Sequence, residues 1–253
     1  MQTLDSPPEL APMESDPVRA HRRSVASRLA SAGVHAFTAL GVICALLALL
    51  DVWWSNWQGC FFWLGVAFLI DGVDGALARL VDVKKHLARF SGERLDFVID
   101  YLTYVFIPTL ALLQAGFLTG PLGMIVAALI LLSSLYHFSD LENKSADNCF
   151  VGFPAIWNIV AFYLFAFDAS PWLAKGVCLV FVALTFVPWR WVHPLRVTEF
   201  RYVTITVTGV CLLTALWIVW HGFPASLPAK IVLAMVACYG IGLSLVWRRS
   251  PAP

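Results

Sequence analysis

The sequence predicts an all-α, polytopic helical membrane protein with about eight transmembrane helices in one membrane domain, residues 25–253. Hydrophobic residues make up 60% of the 253 residues, and charged residues make up only 13%, about half the fraction found in soluble domains. The mean hydropathy is +0.77. The apolar residues gather into runs of about 20, the length that a helix needs to cross a bilayer. The net charge is +1, so no nucleic-acid partner is expected.

The first 24 residues differ from the rest of the chain. They are polar and rich in proline, and they lack the apolar core of a signal peptide. Such a composition predicts a disordered cytoplasmic tail over residues 1–24. The predicted spans follow at about 32–50, 57–76, 97–118, 121–139, 154–168, 171–189, 202–221 and 228–247.

Basic residues predict the orientation, because lysine and arginine favour cytoplasmic loops. With a cytoplasmic N-terminus, all 17 of these residues except Lys175 and Lys230 fall on the cytoplasmic side. An even number of spans returns the C-terminus to the same side. Both termini, and the loop between the second and third spans, are therefore expected in the cytoplasm.

Aspartates interrupt the apolar pattern at two places. Asp71 and Asp74 lie near the end of the second span, and Asp96 and Asp100 lie at the start of the third. Spacings of three and four residues place each pair on one helix face. Charged side chains within a span are costly and mark functional sites, and clustered carboxylates repel one another. Because Mg²⁺ and Mn²⁺ prefer oxygen ligands, the pattern predicts a metal site at the cytoplasmic edge of the membrane.

Small residues and an arginine accompany the first aspartate pair. Gly72 and Gly75 flank Asp74 and remove side-chain bulk where a ligand could approach the backbone, and Ala78 continues this small-residue face. Arg79 adds a planar cation that suits phosphate. Together with metal-binding carboxylates, these residues indicate a substrate that carries a diphosphate.

The two motifs read D-x-x-D-G-x-x-A-R from Asp71 to Arg79 and G-x-x-x-D-x-x-x-D from Gly92 to Asp100. This pattern resembles the signature of the CDP-alcohol phosphatidyltransferases, integral membrane enzymes of phospholipid synthesis. The interval between Arg79 and Gly92 is longer than in most of that family and is similar to that of the bacterial phosphatidylcholine synthase branch. Further stretches are similar to that branch at 34–41, 95–108, 144–158 and 187–196.

The resemblance implies a reaction in which CDP-diacylglycerol transfers its phosphatidyl group to choline and releases CMP. It implies two divalent cations, Mn²⁺ or Mg²⁺, held by Asp71, Asp74, Asp96 and Asp100. Asp100 would also be the general base that takes the proton of the choline hydroxyl. The same resemblance implies a bacterial inner-membrane enzyme whose active site faces the cytoplasm. The implied CDP site is lined by Gly75, Ala78, Arg79 and Gly92, with Thr38 near the nucleotide.

Choline recognition has a physical expectation of its own. A quaternary ammonium cannot donate an N–H hydrogen bond, so it is usually bound in an aromatic cage. Tyr104 lies one helical turn beyond Asp100 on the same face and is the first candidate. Tyr101 and Trp157 are further candidates. Packing is the competing interpretation for each, because aromatic residues make up 14% of the chain.

Three alternatives are open from the sequence. A member of the same family would use serine, glycerol phosphate or inositol phosphate as the acceptor. A membrane prenyltransferase would also use aspartate-bound Mg²⁺, but the aspartates after Asp100 lack DxxxD or DxxD spacing. A cation transporter would need carboxylates further along the spans. Small-residue helix faces are compatible with a homodimer under any of these functions.

Overall fold

The computed structural model describes residues 17–81, 91–140, 150–188, 190–191 and 200–247. These ranges are predominantly helical, which confirms the predicted class of a polytopic helical membrane protein. A π-helical turn, Tyr101–Phe106, joins the third helix to the fourth. The helices are α1 (Pro17–Trp53), α2 (Trp57–Val81), α3 (Gly92–Asp100), α4 (Ile107–Gln114), α5 (Gly120–Ser139), α6 (Trp157–Phe167), α7 (Pro171–Thr185), α8 (Arg201–His221) and α9 (Leu227–Trp247).

A short β-ribbon is the exception to the helical architecture in the described ranges. Strands β1 (Phe150–Val151) and β2 (Arg190–Trp191) pair antiparallel, with Phe150 opposite Trp191 and Val151 opposite Arg190. The ribbon joins the segment that precedes α6 to the segment that follows α7. It therefore ties together two connections at the same end of the helix assembly.

Helices long and apolar enough to cross a membrane account for six of the predicted spans in the described part of the chain. Segments 154–168 and 171–189 instead form shorter helices, α6 with 11 residues and α7 with 15. At about 1.5 Å per residue, α6 covers about 17 Å, less than the roughly 30 Å of a bilayer core. The six helices of membrane length are Leu29–Trp53, Trp57–Leu80, Gly92–Gln114, Gly120–Ser139, Arg201–His221 and Leu227–Leu245.

The cytoplasmic location of both termini stays a prediction.

Helix α1 starts earlier than the sequence predicts. It begins at Pro17, so residues 17–24 are helical although they fall within the predicted disordered tail. Proline suits the first turn of a helix, because its missing N–H would have no intrahelical acceptor there. The alanines and arginines that follow are good helix formers. The division into a tail, residues 1–24, and a membrane domain stays a prediction, and residues 1–16 lie outside the described residues.

The third span, Gly92–Gln114, changes its helical geometry in the middle. At the end of α3 the N–H of Tyr101 donates to the carbonyl of Phe97, four residues back. At the end of the π turn the N–H of Ile107 donates to Leu102, five residues back. Pro108 explains the wider turn, since its ring would collide with the carbonyl of Tyr104 in a regular α-helix. The widening changes the direction in which the side chains of the π turn project.

Close contact between α1 and α3 fixes the position of the third span. A Cβ added to Gly41 on α1 would lie 2.6 Å from Cγ2 of Ile99. One added to Gly92, the first residue of α3, would lie 2.8 Å from Cε1 of His35. Glycine at both positions lets the two helices approach more closely than a side chain would allow. Because Ile99 immediately precedes Asp100, this contact also fixes the position of Asp100, an expected site residue, along the third span.

The third span is more enclosed than the helices near the C-terminus. Half of its most apolar stretch, 50%, is buried, compared with 11% for α8 and 17% for α9.

At the start of α2, far from its aspartates, aromatic rings pack with centroids 4.8 to 5.8 Å apart. The aromatic core thus lies at the start of α2, whereas the aspartates of α2 lie toward its other end. The rings are those of Trp57, Phe61, Phe117, Phe165 and Phe223.

Gly41→Ala is expected to lower the melting temperature in detergent, because the new methyl group would collide with Ile99. Overpacking of this kind costs about 1–3 kcal/mol. Gly33→Ala on the same helix is the matched control, since a Cβ there would meet no neighbouring side chain or helix within 4 Å in the described part of the chain. Alanine also forms helix better than glycine, so the control is expected to melt at or above the wild-type temperature. A wild-type melting temperature for Gly41→Ala would contradict the close contact of α1 with α3.

Candidate active site

Three carboxylates converge at the polar end of the helices. Asp71 on α2 and Asp96 and Asp100 on α3 each offer one oxygen, and these oxygens all lie within 4.8 Å of one another. Asp96 and Asp100 share a face of α3 because they are four residues apart. All three residues are half-buried. The structure therefore brings together three of the four predicted metal ligands, from two separate helices.

The group has the donor chemistry of a divalent-cation site. Three like charges this close to one another repel, and a bound cation removes that repulsion. A set of oxygen donors without histidine or cysteine favours Mg²⁺ or Mn²⁺ over zinc. Among the described residues, it is the one group of three or more histidine, cysteine, aspartate or glutamate side chains with such spacing.

Tyr104 adds a neutral partner to this group. Its hydroxyl donates a hydrogen bond of 2.6 Å to Oδ2 of Asp71. Its ring packs edge-on against Phe68, one turn before Asp71 on α2, with centroids 6.2 Å apart and planes at 88°. Only 7% of Tyr104 is exposed. The residue therefore connects the π turn of the third span to α2, a contact that helical spacing in the sequence does not predict.

Asp74 is also buried, with 6% of its surface exposed. It lies one turn beyond Asp71 on α2, but its oxygens are not among those within 4.8 Å of one another. A carboxylate buried at the end of a span requires compensation of its charge. Its role as a fourth metal ligand stays a prediction.

The residues predicted to bind CDP on α2 lie toward its end. Gly75 and Ala78 are half-buried and Arg79 is exposed. A Cβ at Gly75 would lie 3.6 Å from Nη1 of Arg79, so the arginine side chain folds back along the helix over this glycine. No atom of another described element lies within 4 Å of a Cβ at Gly72, which leaves open space on the same helix among the described residues. This arrangement leaves open space next to Asp71 and a cation about two turns beyond it.

Gly92 and Thr38 have packing contacts of their own. Gly92 packs closely against His35 of α1. Helix packing alone therefore requires a glycine at this position, independently of any nucleotide contact. Thr38 is buried, and its hydroxyl donates to the carbonyl of Val34 at 3.2 Å within α1. It lies between His35 and Gly41 on the face of α1 that contacts α3. The predicted nucleotide contacts of both residues stay predictions.

The two further choline candidates direct their polar atoms at α5. The hydroxyl of Tyr101 donates to the carbonyl of Leu131 at 3.0 Å. Trp157 is fully buried, and its Nε1 donates to Oγ of Ser134 at 2.8 Å. These hydrogen bonds give both residues a role in helix packing. Their contact with choline stays a prediction.

Comparison with known proteins identifies relatives along most of the chain. A phosphatidylcholine synthase of Pseudomonas aeruginosa is 46% identical over 218 residues, which cover 85% of this chain and 90% of that protein. Those of Bradyrhizobium diazoefficiens and Agrobacterium fabrum are each 38% identical, over 85% and 86% of this chain and 80% and 89% of theirs. No protein-family model matches the chain. On the strength of these relatives, the chain belongs to the bacterial phosphatidylcholine synthase branch of the CDP-alcohol phosphatidyltransferase family.

Proposed function

We propose that this protein makes phosphatidylcholine by transferring the phosphatidyl group of CDP-diacylglycerol to choline, with release of CMP. The observation that carries the proposal is the half-buried group of Asp71, Asp96 and Asp100 in a membrane-spanning chain. The names of the relatives favour choline over other acceptor alcohols. They also favour a phosphatidyltransferase over a prenyltransferase or a cation transporter.

Two divalent cations, Mn²⁺ or Mg²⁺, belong to the proposed centre. Asp71, Asp96 and Asp100 are the residues that would hold them, with Asp74 as the further ligand. Such ions, when bound, neutralise diphosphate oxygens and stabilise the charge on the departing CMP. The carboxylates alone would repel an anionic diphosphate. The proposed substrate can therefore bind beside them only when cations compensate the negative charge of the carboxylates.

Asp100 is the proposed general base. It is the last residue of α3 and immediately precedes the π turn, and its carboxylate belongs to the three-aspartate group. The carboxylate accepts the proton of the choline hydroxyl while the hydroxyl oxygen forms a bond to the phosphorus of the phosphatidyl group. The P–O bond of the phosphoanhydride breaks, and its electron pair leaves with CMP.

Arg79 is the proposed contact for the CDP phosphates. Its exposed side chain lies over Gly75 on α2, two turns beyond Asp71. A guanidinium donates paired hydrogen bonds to phosphate oxygens and stays charged at any physiological pH. It therefore supplies attraction for the substrate without taking part in proton transfer.

We place the active site at the cytoplasmic face of the bacterial inner membrane. The distribution of lysine and arginine supports this orientation. Choline and CMP are soluble in water, whereas the diacylglycerol part of the substrate and product stays in the bilayer. A site at the ends of α2 and α3 serves both phases. The small-residue faces of the spans are compatible with a homodimer.

The acceptor is tested with purified protein, CDP-diacylglycerol, and Mn²⁺ or Mg²⁺. Labelled choline, serine, glycerol 3-phosphate and inositol phosphate are offered in parallel, and lipid products and CMP are quantified. We expect phosphatidylcholine and CMP in equal amounts from choline and no lipid product from the others. Incorporation of another acceptor in place of choline would contradict the proposed substrate.

Asp100→Asn is expected to reduce kcat for phosphatidylcholine formation by at least about 100-fold, because a positioned base typically contributes 10²–10⁴-fold. Asp168→Asn is the matched control. Asp168 is an exposed residue in left-handed conformation at the end of α6, and asparagine tolerates that conformation well. The control is expected to retain wild-type turnover. A kcat for Asp100→Asn close to that of the wild type would rule out the role of general base.

A further inference from the structure

The contact between Tyr104 and Asp71 separates Tyr104 from the other aromatic residues near the site. The distance of 2.6 Å between the tyrosine hydroxyl and Oδ2 of Asp71 is that of a charge-assisted O–H···O⁻ hydrogen bond. The partner, Asp71, is a member of the three-aspartate group. A buried hydroxyl thus touches a candidate metal ligand directly.

We propose that Tyr104 is a positioning residue, whose hydroxyl holds the carboxylate of Asp71 in the orientation that binds the divalent cation. The inference rests on the proposed metal-dependent function. A carboxylate without a second partner rotates freely, and ordering it on metal binding reduces affinity. With one oxygen engaged by Tyr104, the carboxylate is already oriented when the cation arrives.

The local fold explains how a residue of the third span reaches α2. Tyr104 lies within the π turn that precedes Pro108, so its side chain does not project as it would from a regular α-helix. Phe68 packs against the edge of the ring and restricts its movement. The proline, the π turn and Phe68 together aim one hydroxyl at one carboxylate.

This geometry favours the hydroxyl of Tyr104, and not the face of its ring, as the functional part. A choline cage needs aromatic faces open to the cation. Tyr104 is 7% exposed and is enclosed beside Phe68 and Asp71. An effect of Tyr104 on choline binding would therefore be indirect, through the metal centre.

Tyr104→Phe tests the proposal, because it removes the hydroxyl and keeps the ring. The matched control is Tyr163→Phe on α6, outside the proposed site, whose hydroxyl donates to the backbone carbonyl of Leu233 at 3.0 Å. Full-length proteins in lipid nanodiscs are titrated with Mn²⁺, and free Mn²⁺ is measured by electron paramagnetic resonance. The choline KM is measured in parallel at saturating Mn²⁺.

We expect the Mn²⁺ dissociation constant to rise about tenfold in Tyr104→Phe, as is typical when a partner of a metal ligand is lost. In Tyr163→Phe the dissociation constant is expected to keep its wild-type value. The choline KM is expected to stay unchanged in both variants. Wild-type Mn²⁺ affinity in Tyr104→Phe, or equal weakening in both variants, would overturn the proposal, as would a raised choline KM without a change in metal affinity.

The titration also separates this inference from the proposed function. Selective weakening of Mn²⁺ binding by Tyr104→Phe supports the positioning role even if the wild-type protein transfers the phosphatidyl group to an acceptor other than choline. Choline transfer by the wild type together with unaltered Mn²⁺ binding by Tyr104→Phe overturns the positioning role alone. Absence of saturable Mn²⁺ binding by the wild type overturns both.

Discussion

The mutual repulsion of Asp71, Asp96 and Asp100 is the constraint on which the rest of the structure depends. Their oxygens lie within 4.8 Å of one another in half-buried positions, where unscreened like charges are costly. Packing elsewhere must hold the helices together against this repulsion. The close contacts of α1 with α3 and the aromatic core at the start of α2 supply that packing. A bound divalent cation would convert the repulsion into attraction between α2 and α3.

Pro108 connects the sequence of the third span to the chemistry of the site. A proline inside a helix disrupts the regular hydrogen-bond pattern, and here a π turn over Tyr101–Phe106 precedes Pro108. That turn begins directly after Asp100 and contains Tyr104, which bonds to Asp71. π-Helical turns occur frequently at functional sites for this reason, since they redirect side chains without ending the helix.

The sequence predicts the helical membrane fold and a single group of four aspartates, of which Asp71, Asp96 and Asp100 come together in the structure. It does so because apolar runs and the charged residues within them are local signals. It overestimates the lengths of α6 and α7, since hydropathy does not show where a helix ends. It places Tyr104 on the helix face of Asp100 but does not predict the bond to Asp71, because spacing within one helix does not determine which residue of another helix is contacted. The contact of Gly92 with His35 joins distant positions and has no local signature in the sequence.

Locating the bound metal in the protein tests the role of the three aspartates most directly. A structure determined with Mn²⁺ and CDP-diacylglycerol, with anomalous scattering recorded for manganese, shows where the ions bind. We expect manganese peaks coordinated by Asp71, Asp96 and Asp100, with Tyr104 still bonded to Asp71. Manganese bound elsewhere, or these three carboxylates directed away from the bound diphosphate, would contradict that role.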